Sequence, residues 1–406
     1  MTRVLAGMRV VEASAFVAAP LGGMTLAQLG AEVIRIDDVK IGGLDRRRWP
    51  VTPEGTSLFW AGLNKGKKSV ALDLSSAEGR ELAQAVICAE GTDAGILLTN
   101  FPPRGWLAHE TLIARRPDLI QLTIQGDRHG GSAVDYTVNP AVGLPYLTGP
   151  DPVARPANHV LPAWDLITGQ MAAVGILAAE RRRRRDGQGQ NVTLALEDVA
   201  LAVMGHLGFI AEAELGLERT PCGNDLFGAF GRDFLCRDGA RIMVVGLTSK
   251  QWQGLVAAVG MADQIAEIEK VHQLDLSREG DRFKARDAIA VIVGAWISMR
   301  PLSEVAVAFN RHRVCWGLYR TVGEMVREHP NCSTDNPMFS RVAHPGVGEI
   351  LTPGLPLGFS REDRTPPGPA PKLGEHTDEI LLDVVGLSSA EVGALHDRGI
   401  AGPGGD

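Results

Sequence analysis

Residues 10–37 read VVEASAFVAAPLGGMTLAQLGAEVIRID, and this stretch decides the fold class. Two short runs rich in β-branched residues, 9–12 and 31–36, flank a segment with helical periodicity. A strand, a helix and a second strand in this order are typical of a βαβ unit, whose strands lie parallel. No GxGxxG follows the first strand, so a standard dinucleotide site is disfavoured.

The same alternation continues for about 200 residues. Further strands are predicted at 69–72, 94–98, 119–124 and 191–196, with helical patterns between them and an apolar helix at 199–215. The fold class is therefore α/β, with a large domain formed by 1–218 and 331–406. Turn formers followed by strand-like alternation at 238–246 predict a smaller α+β domain over 219–330. Two capped helices near the C-terminus are expected to dock on the first domain.

Composition excludes several classes of protein. The chain has 406 residues, 45% of them hydrophobic, which is enough for two packed domains. A net charge of -7 gives no general attraction for nucleic acid or an anionic membrane. The N-terminus lacks a signal-peptide core and no apolar run approaches the roughly 20 residues of a membrane span, so we expect a cytoplasmic protein. Five cysteines without a CxxC pair are expected to be reduced thiols, and no metal site is indicated.

Asp165 opens a long helical pattern and has two interpretations. The apolar residues of this pattern recur at helical spacing: Ile167, Met171, Val174 and Leu177. A carboxylate at a helix start can cap free N–H groups, since Asp is a preferred N-cap. It can also remain ionised there and attack a thioester carbonyl without a separate base. Position alone does not decide between capping and attack.

Basic residues cluster at three places. A Gly-containing turn carries Lys65, Lys67 and Lys68, and the run from Arg46 to Arg48 follows a Gly pair. Both segments are candidates for holding phosphates, the alternative being solvated loops. The run from Arg181 to Arg185 ends the long helix, where cations favour the helix dipole, and a structural role is predicted.

Five segments in a fixed order identify a family resemblance. They are residues 10–37, NKGKKSVALDL (64–74), TNFPPRGW (99–106), Asp165 with its helix ending in DGQGQNV, and APKLGEHTDEIL (370–381). Together they resemble the family III CoA-transferases across nearly the whole chain. The resemblance implies an acyl-CoA thioester substrate, a catalytic Asp at position 165 that becomes acylated, and no metal or cofactor beyond CoA itself. It also implies a Rossmann-like large domain and an interlocked homodimer.

The resemblance carries over a set of residues that bind the substrate. Together with the basic residues above, the predicted set is Phe16, Val17, Ala18, Arg46, Lys65, Lys68, Leu72, Asn100, Phe101 and Arg104. Three differences from the pattern of formyl-CoA transferases disfavour formyl-CoA and oxalate as substrates. Val17 replaces a common Gln, Asp38 replaces a basic residue, and GNDLFGAFGRDF (223–234) replaces a glycine-rich flap.

Further stretches, including SLFWAGLNKGKKS and NHVLPAWDLITGQM, resemble family members that move CoA between the two carboxyls of one unsaturated C5 diacid. Arg232, Asn139 and His159 are candidates for holding the second carboxylate. Three alternatives stay open: an intermolecular CoA-transferase, an α-methylacyl-CoA racemase and a non-catalytic acyl-CoA binding module. Val134 occupies the position of the racemase's basic His.

Overall fold

The computed structural model describes residues 3–149, 155–217 and 219–402, and their contacts form two compact units. One unit comprises the described parts of Met1–Val142, Val160–Ala211 and Pro330–Asp406. The other comprises those of Gly143–His159 and Glu212–His329. Within the described ranges, none of the helices has the length and apolar character needed to cross a membrane.

The first unit contains a six-stranded parallel sheet with the order β3-β2-β1-β4-β5-β6. Its strands are β1 Arg9–Ala13, β2 Glu32–Asp38, β3 Lys68–Leu72, β4 Ile96–Thr99, β5 Ile120–Gln125 and β6 Gln190–Ala195. The helices up to this point and just beyond are α1 Ala18–Gln28, α2 Leu58–Leu63, α3 Ala77–Cys88, α4 His109–Ile113, α5 Asp135–Ala141, α6 Ala163–Asp186, α7 Leu196–His206 and α8 Phe209–Glu214. All six predicted strands, and the α/β class, are confirmed.

The second unit has its own antiparallel sheet and its own core. The strands are β7 Phe230–Leu235, β8 Arg241–Gly246 and β9 Cys315–Leu318, in the order β7-β8-β9. The helices are α9 Ser249–Val259, α10 Ala262–His272, α11 Glu279–Lys284, α12 Arg286–Ser298, α13 Leu302–Arg311 and α14 Val322–Glu328. Phe230 and Phe309 are fully buried in this core, and Trp252 packs edge-on against Phe230.

The C-terminal part returns to the first unit. It forms a hairpin and short helices: β10 Phe339–His344, β11 Gly348–Pro353, α15 Thr377–Glu379, a π-helical turn Ile380–Val384, and α16 Ser389–Asp397. Thr377 Oγ1 accepts a hydrogen bond from Ala71 N, and Ala401 bridges to Leu72. These contacts fasten the end of the chain along β3.

Apolar side chains cover both faces of the parallel sheet because neighbouring residues of a strand point to opposite sides. Val10 packs with α1 and α6 on one face, and Val11 packs with α3 and α16 on the other. Arg183 ties α6 to the strand ends by donating to the carbonyls of Ala94 and Asp118. The structural role predicted for the arginine run is thus confirmed at this residue.

One detail of the sequence interpretation is wrong. The helix predicted at 199–215 is broken into α7 and α8, because Gly208 adopts a left-handed φ of 83° between them. The helix predicted from Asp165 onward is present as α6, and its periodic residues Ile167, Met171 and Val174 are exposed. The buried face consists mainly of small residues, since this helix packs closely against α1: Gly169, Ala172, Ala173 and Ala179.

Candidate active site

The loop after β1 holds a bulky residue in a strained conformation. Phe16 has a φ of 70°, which costs on the order of 1–3 kcal/mol for a residue with a side chain. Asn100, directly after β4, fixes the preceding residue: its Oδ1 accepts from Ala15 N at 3.0 Å and its Nδ2 donates to Ala15 O at 2.7 Å. The sheet order reverses between β1 and β4, and ligands of such sheets bind outside the carboxyl ends of the strands at this point.

A buried cluster of charged side chains holds the same loop through hydrogen bonds to its backbone. Arg35 donates to Ser14 O at 3.0 Å, and Lys67 donates to Pro20 O at 2.9 Å, so the two cations hold backbone on either side of Phe16. Both also pair with buried Glu12. Burial lowers the pKa of Lys67 to about 8, and Glu12 opposes this change.

The start of α6 is capped by a residue that lies 30 positions earlier. The helix begins at Ala163, with Pro162 at the N-cap, and Asp165 is its third residue. Asp135 Oδ2 accepts hydrogen bonds from Trp164 N at 2.7 Å and from Asp165 N at 3.2 Å. The N-cap interpretation of Asp165 is therefore wrong. Its carboxylate is left available for another role.

The electrostatics of Asp165 differ from those of an exposed carboxylate. Burial, and then the negative charge of Asp135, raise its pKa from 3.8 to about 6, while Arg48 acts in the opposite direction. The group is mostly ionised at neutral pH but poorly solvated. A carboxylate in this state is suited to nucleophilic attack.

Glycines bring the Asp165 helix into contact with the loop after β1. A Cβ at Gly169 would lie 2.6 Å from Ala18 O, and one at Gly22 would lie 3.0 Å from Gly169 O. No side chain caps the N-terminus of α1 at Val17. The backbone of this helix start therefore lies directly against the first turns of α6.

The structure brings only part of the predicted set together. Phe16, Val17, Ala18 and Asn100 lie at the carboxyl edge with Asp165. Phe101, Arg104, Arg46 and Leu72 belong to the loops or strand ends of that edge, but the Leu72 side chain is fully buried and leaves only its backbone for a ligand.

Lys65 and Lys68 are directed elsewhere. Lys68 begins β3, at the opposite edge of the sheet, and pairs with Glu32 and Glu379. Lys65 donates to Pro353 O at 2.8 Å, and burial lowers its pKa to about 8. The predicted contact with phosphates is replaced by contacts within the protein.

Two of the three candidates for holding a second carboxylate already have partners within the protein. Arg232 pairs with Asp225 and Asp287 in the second unit, and Asn139 Oδ1 accepts from the Trp164 indole at 3.2 Å. His159 Nδ1 is buried without a partner among the described residues, but it belongs to the second unit. Asn139 therefore holds the Trp164 side chain at the start of α6.

From the sequence, Asp135 was not recognised as part of the site, and Arg48 was a candidate for holding phosphates rather than a neighbour of Asp165. Asp135 was visible only as the Asp of the segment AVDYTV, and Arg48 only as one of three adjacent arginines. The described residues contain no group of three or more His, Cys, Asp or Glu arranged to hold a metal ion.

A poorly solvated carboxylate lies near the switch point of a parallel sheet, and the chain belongs to CoA-transferase family III, whose model matches residues 5–377. A 2-methylfumaryl-CoA isomerase of Chloroflexus aurantiacus is 57% identical over 406 residues, 99% of each chain. A formyl-CoA:oxalate CoA-transferase of Rhodopseudomonas palustris is 26% identical, over 99% of this chain and 98% of its own. The crystal structure of a CaiB/BaiF family protein from Brucella suis aligns with a TM-score of 0.76 and 25% identity, covering 95% of this chain and 100% of that one.

Proposed function

We propose that this protein converts 2-methylfumaryl-CoA (mesaconyl-C1-CoA) into 3-methylfumaryl-CoA by moving CoA between the two carboxyls of one diacid. The observation that carries the proposal is the state of the Asp165 carboxylate. Asp135 caps α6 in its place, and burial raises the pKa of Asp165 and leaves this carboxylate poorly solvated. The 57% identity to a 2-methylfumaryl-CoA isomerase over the full chain supports this choice of substrate.

In the first half of the reaction, the Asp165 carboxylate attacks the C1 thioester carbonyl. The tetrahedral intermediate collapses to a mixed anhydride and expels CoA thiolate. The thiolate then attacks the Asp165 carbonyl, which forms an aspartyl-CoA thioester and releases mesaconate with both carboxylates ionised. No proton is gained or lost in these steps.

In the second half, the diacid presents its other end. Its C4 carboxylate attacks the aspartyl thioester, which gives a second mixed anhydride and CoA thiolate. Attack of the thiolate on the C4 carbonyl produces the isomeric thioester and regenerates the Asp165 carboxylate. One thioester is formed for each one broken, so the overall free-energy change is small.

The environment of Asp165 assists the attack. Ionised Asp165 lies beside Asp135 in a poorly solvated position, and this unfavourable interaction disappears when Asp165 becomes a neutral acyl group. The oxyanions that form need donors, and the backbone N–H groups at the uncapped start of α1 are our candidates.

The structure gives no support to the racemase alternative. The position of the basic His is occupied by Val134, an exposed aliphatic residue at the start of α5 that cannot carry a proton. The next residue, Asp135, is engaged in capping α6.

The test is direct. Wild-type protein is incubated with mesaconyl-C1-CoA and no added acid, and the two thioester isomers are separated by chromatography. We expect interconversion by the wild type and a loss of more than about 10³-fold in Asp165→Asn, since that variant lacks the nucleophile. Turnover only after addition of a second acid would favour an intermolecular transferase. Equal rates in both proteins would contradict the mechanism.

We further propose that the protein acts as a cytoplasmic homodimer with an interlocked arrangement. The exposed apolar residues Ile167, Met171 and Val174 on α6 support a partner surface on this helix. Light scattering after size-exclusion chromatography is expected to give twice the chain mass, and Met171→Asp is expected to shift the protein toward monomer. A monomeric wild type would contradict this proposal.

A further inference from the structure

The proposed reaction poses a charge problem that Asp165 does not solve. Mesaconate released inside the site carries two carboxylates, and it must turn around rather than escape. Desolvating a carboxylate without a cationic or hydrogen-bonding partner is costly. A cation near Asp165 would stabilise the second carboxylate, and the following inference rests on the proposed function.

Arg48 is a cation that lies against the loop after β1 and influences Asp165. Its guanidinium carbon lies 4.9 Å from the ring centre of Phe59 and 5.6 Å from that of Phe16. Its positive charge lowers the pKa of the Asp165 carboxyl group, against the larger effects of burial and Asp135. None of the ion pairs between described residues includes Arg48.

The loop that carries Arg48 is fixed on both sides. The backbone N of Arg48 donates to Asp45 O at 3.3 Å, and the Asp45 carboxylate is paired with buried Arg35 at 2.9 Å. The hydroxyl of Ser57, a fully buried residue, donates to Arg48 O at 2.7 Å. The guanidinium therefore extends from a preorganised backbone.

Two other cations near this edge are already paired with carboxylates. Arg35 and Lys67 are buried in ion pairs and hold the loop after β1. Aromatic rings contact the faces of a guanidinium, which leaves its N–H edge available, and this edge matches the two oxygens of a carboxylate.

We infer that Arg48 binds the free carboxylate of the diacid: the C4 carboxylate while C1 is attacked, and the C1 carboxylate after the diacid has turned. Arg48 then selects diacids over monoacids and retains mesaconate between the two half-reactions.

Binding measurements test this inference without requiring turnover. Isothermal titration calorimetry gives the affinity of CoA-loaded protein for mesaconate and for 2-methylcrotonate, which has a methyl group in place of one carboxylate. The variants are Arg48→Gln, Arg48→Lys as the conservative change, and Arg185→Gln as a control that removes an exposed charge elsewhere. Retained CoA affinity shows that a variant is folded.

We expect Arg48→Gln to weaken mesaconate binding roughly 10- to 100-fold, the loss of a charge-assisted pair, and to leave 2-methylcrotonate binding unchanged. Arg48→Lys should recover part of the loss, and Arg185→Gln should match the wild type. Equal losses for both acids, or no loss for mesaconate, would overturn the inference. The isomerisation assay is separate, so failure of the proposed function is distinguished from failure of this role.

During turnover, Arg48→Gln should also release free mesaconate and incorporate labelled mesaconate from solution. A purely structural defect would slow the reaction without increasing this exchange. Exchange no greater than in the wild type would also count against the inference.

Discussion

Replacing Asp165 by Asn should abolish activity and at the same time stabilise the protein at neutral pH. The pKa of Asp165 rises from 3.8 to about 6 on folding, chiefly through burial and then through Asp135. At 1.36 kcal/mol for each pKa unit, the ionised carboxylate costs up to about 3 kcal/mol of folding free energy. Asn carries no charge and avoids this cost.

The sign of the pH dependence follows from proton binding. Between the unfolded pKa of 3.8 and the folded pKa of about 6, the folded state binds more protons, so this group's contribution to stability declines as pH rises through that window. Asp165→Asn should therefore equal the wild type near pH 4. The difference between the two proteins should grow to its full size above about pH 6 and then remain constant.

Urea unfolding of the two proteins from pH 4 to pH 8, followed by circular dichroism, measures this difference. Asp186→Asn is a matched control at the other end of α6, because hydrogen bonding from Gln188 N and the Arg182 charge lower the pKa of Asp186. That control should not be stabilised. A wild type as stable as Asp165→Asn at pH 8 would refute our account of the Asp165 environment.

Three further predictions concern the same site. The kcat/KM of the wild type should fall below about pH 6, and Asp135→Asn, which keeps a hydrogen-bond acceptor but removes the charge, should move this limb of the pH–rate profile to lower pH. Gly169→Ala should lower the unfolding free energy in urea by about 1–3 kcal/mol, because its Cβ would lie 2.6 Å from Ala18 O. Asn100→Ala removes both side-chain hydrogen bonds to Ala15, and initial rates should fall while urea unfolding shows a loss of about 1–3 kcal/mol. An unshifted profile, unchanged stability or an unchanged rate would contradict the respective argument.

The sequence predicted the sheet well because buried parallel strands are recognisable as short apolar runs. It also located Asp165 at the start of a helix. The contacts that define the site are long-range, and sequence periodicity does not show them. Asp135 caps a helix 30 residues later, and Glu12 neutralises Lys67 from 55 residues away.

The burial of Lys67 is an example of a feature that the sequence does not predict. Its neighbours are charged and Gly-rich, so an exposed loop is the natural expectation for the turn. The structure instead inserts this ammonium group beneath the loop after β1, where Glu12, Asn64 and a backbone carbonyl satisfy it. Helical spacing likewise does not show which face of α6 is buried: close packing on α1 requires small residues, and the larger apolar residues Ile167, Met171 and Val174 face outward.

In the proposed mechanism CoA is carried on Asp165 during transfer, and chemical trapping tests this step most directly. The protein is mixed with mesaconyl-C1-CoA, quenched with borohydride and digested, and its peptides are analysed by mass spectrometry. A thioester at Asp165 is reduced to the alcohol, so homoserine is predicted at position 165 and nowhere else. A protein that isomerises its substrate while Asp165 remains unmodified, or that is modified at another carboxylate, would contradict the mechanism.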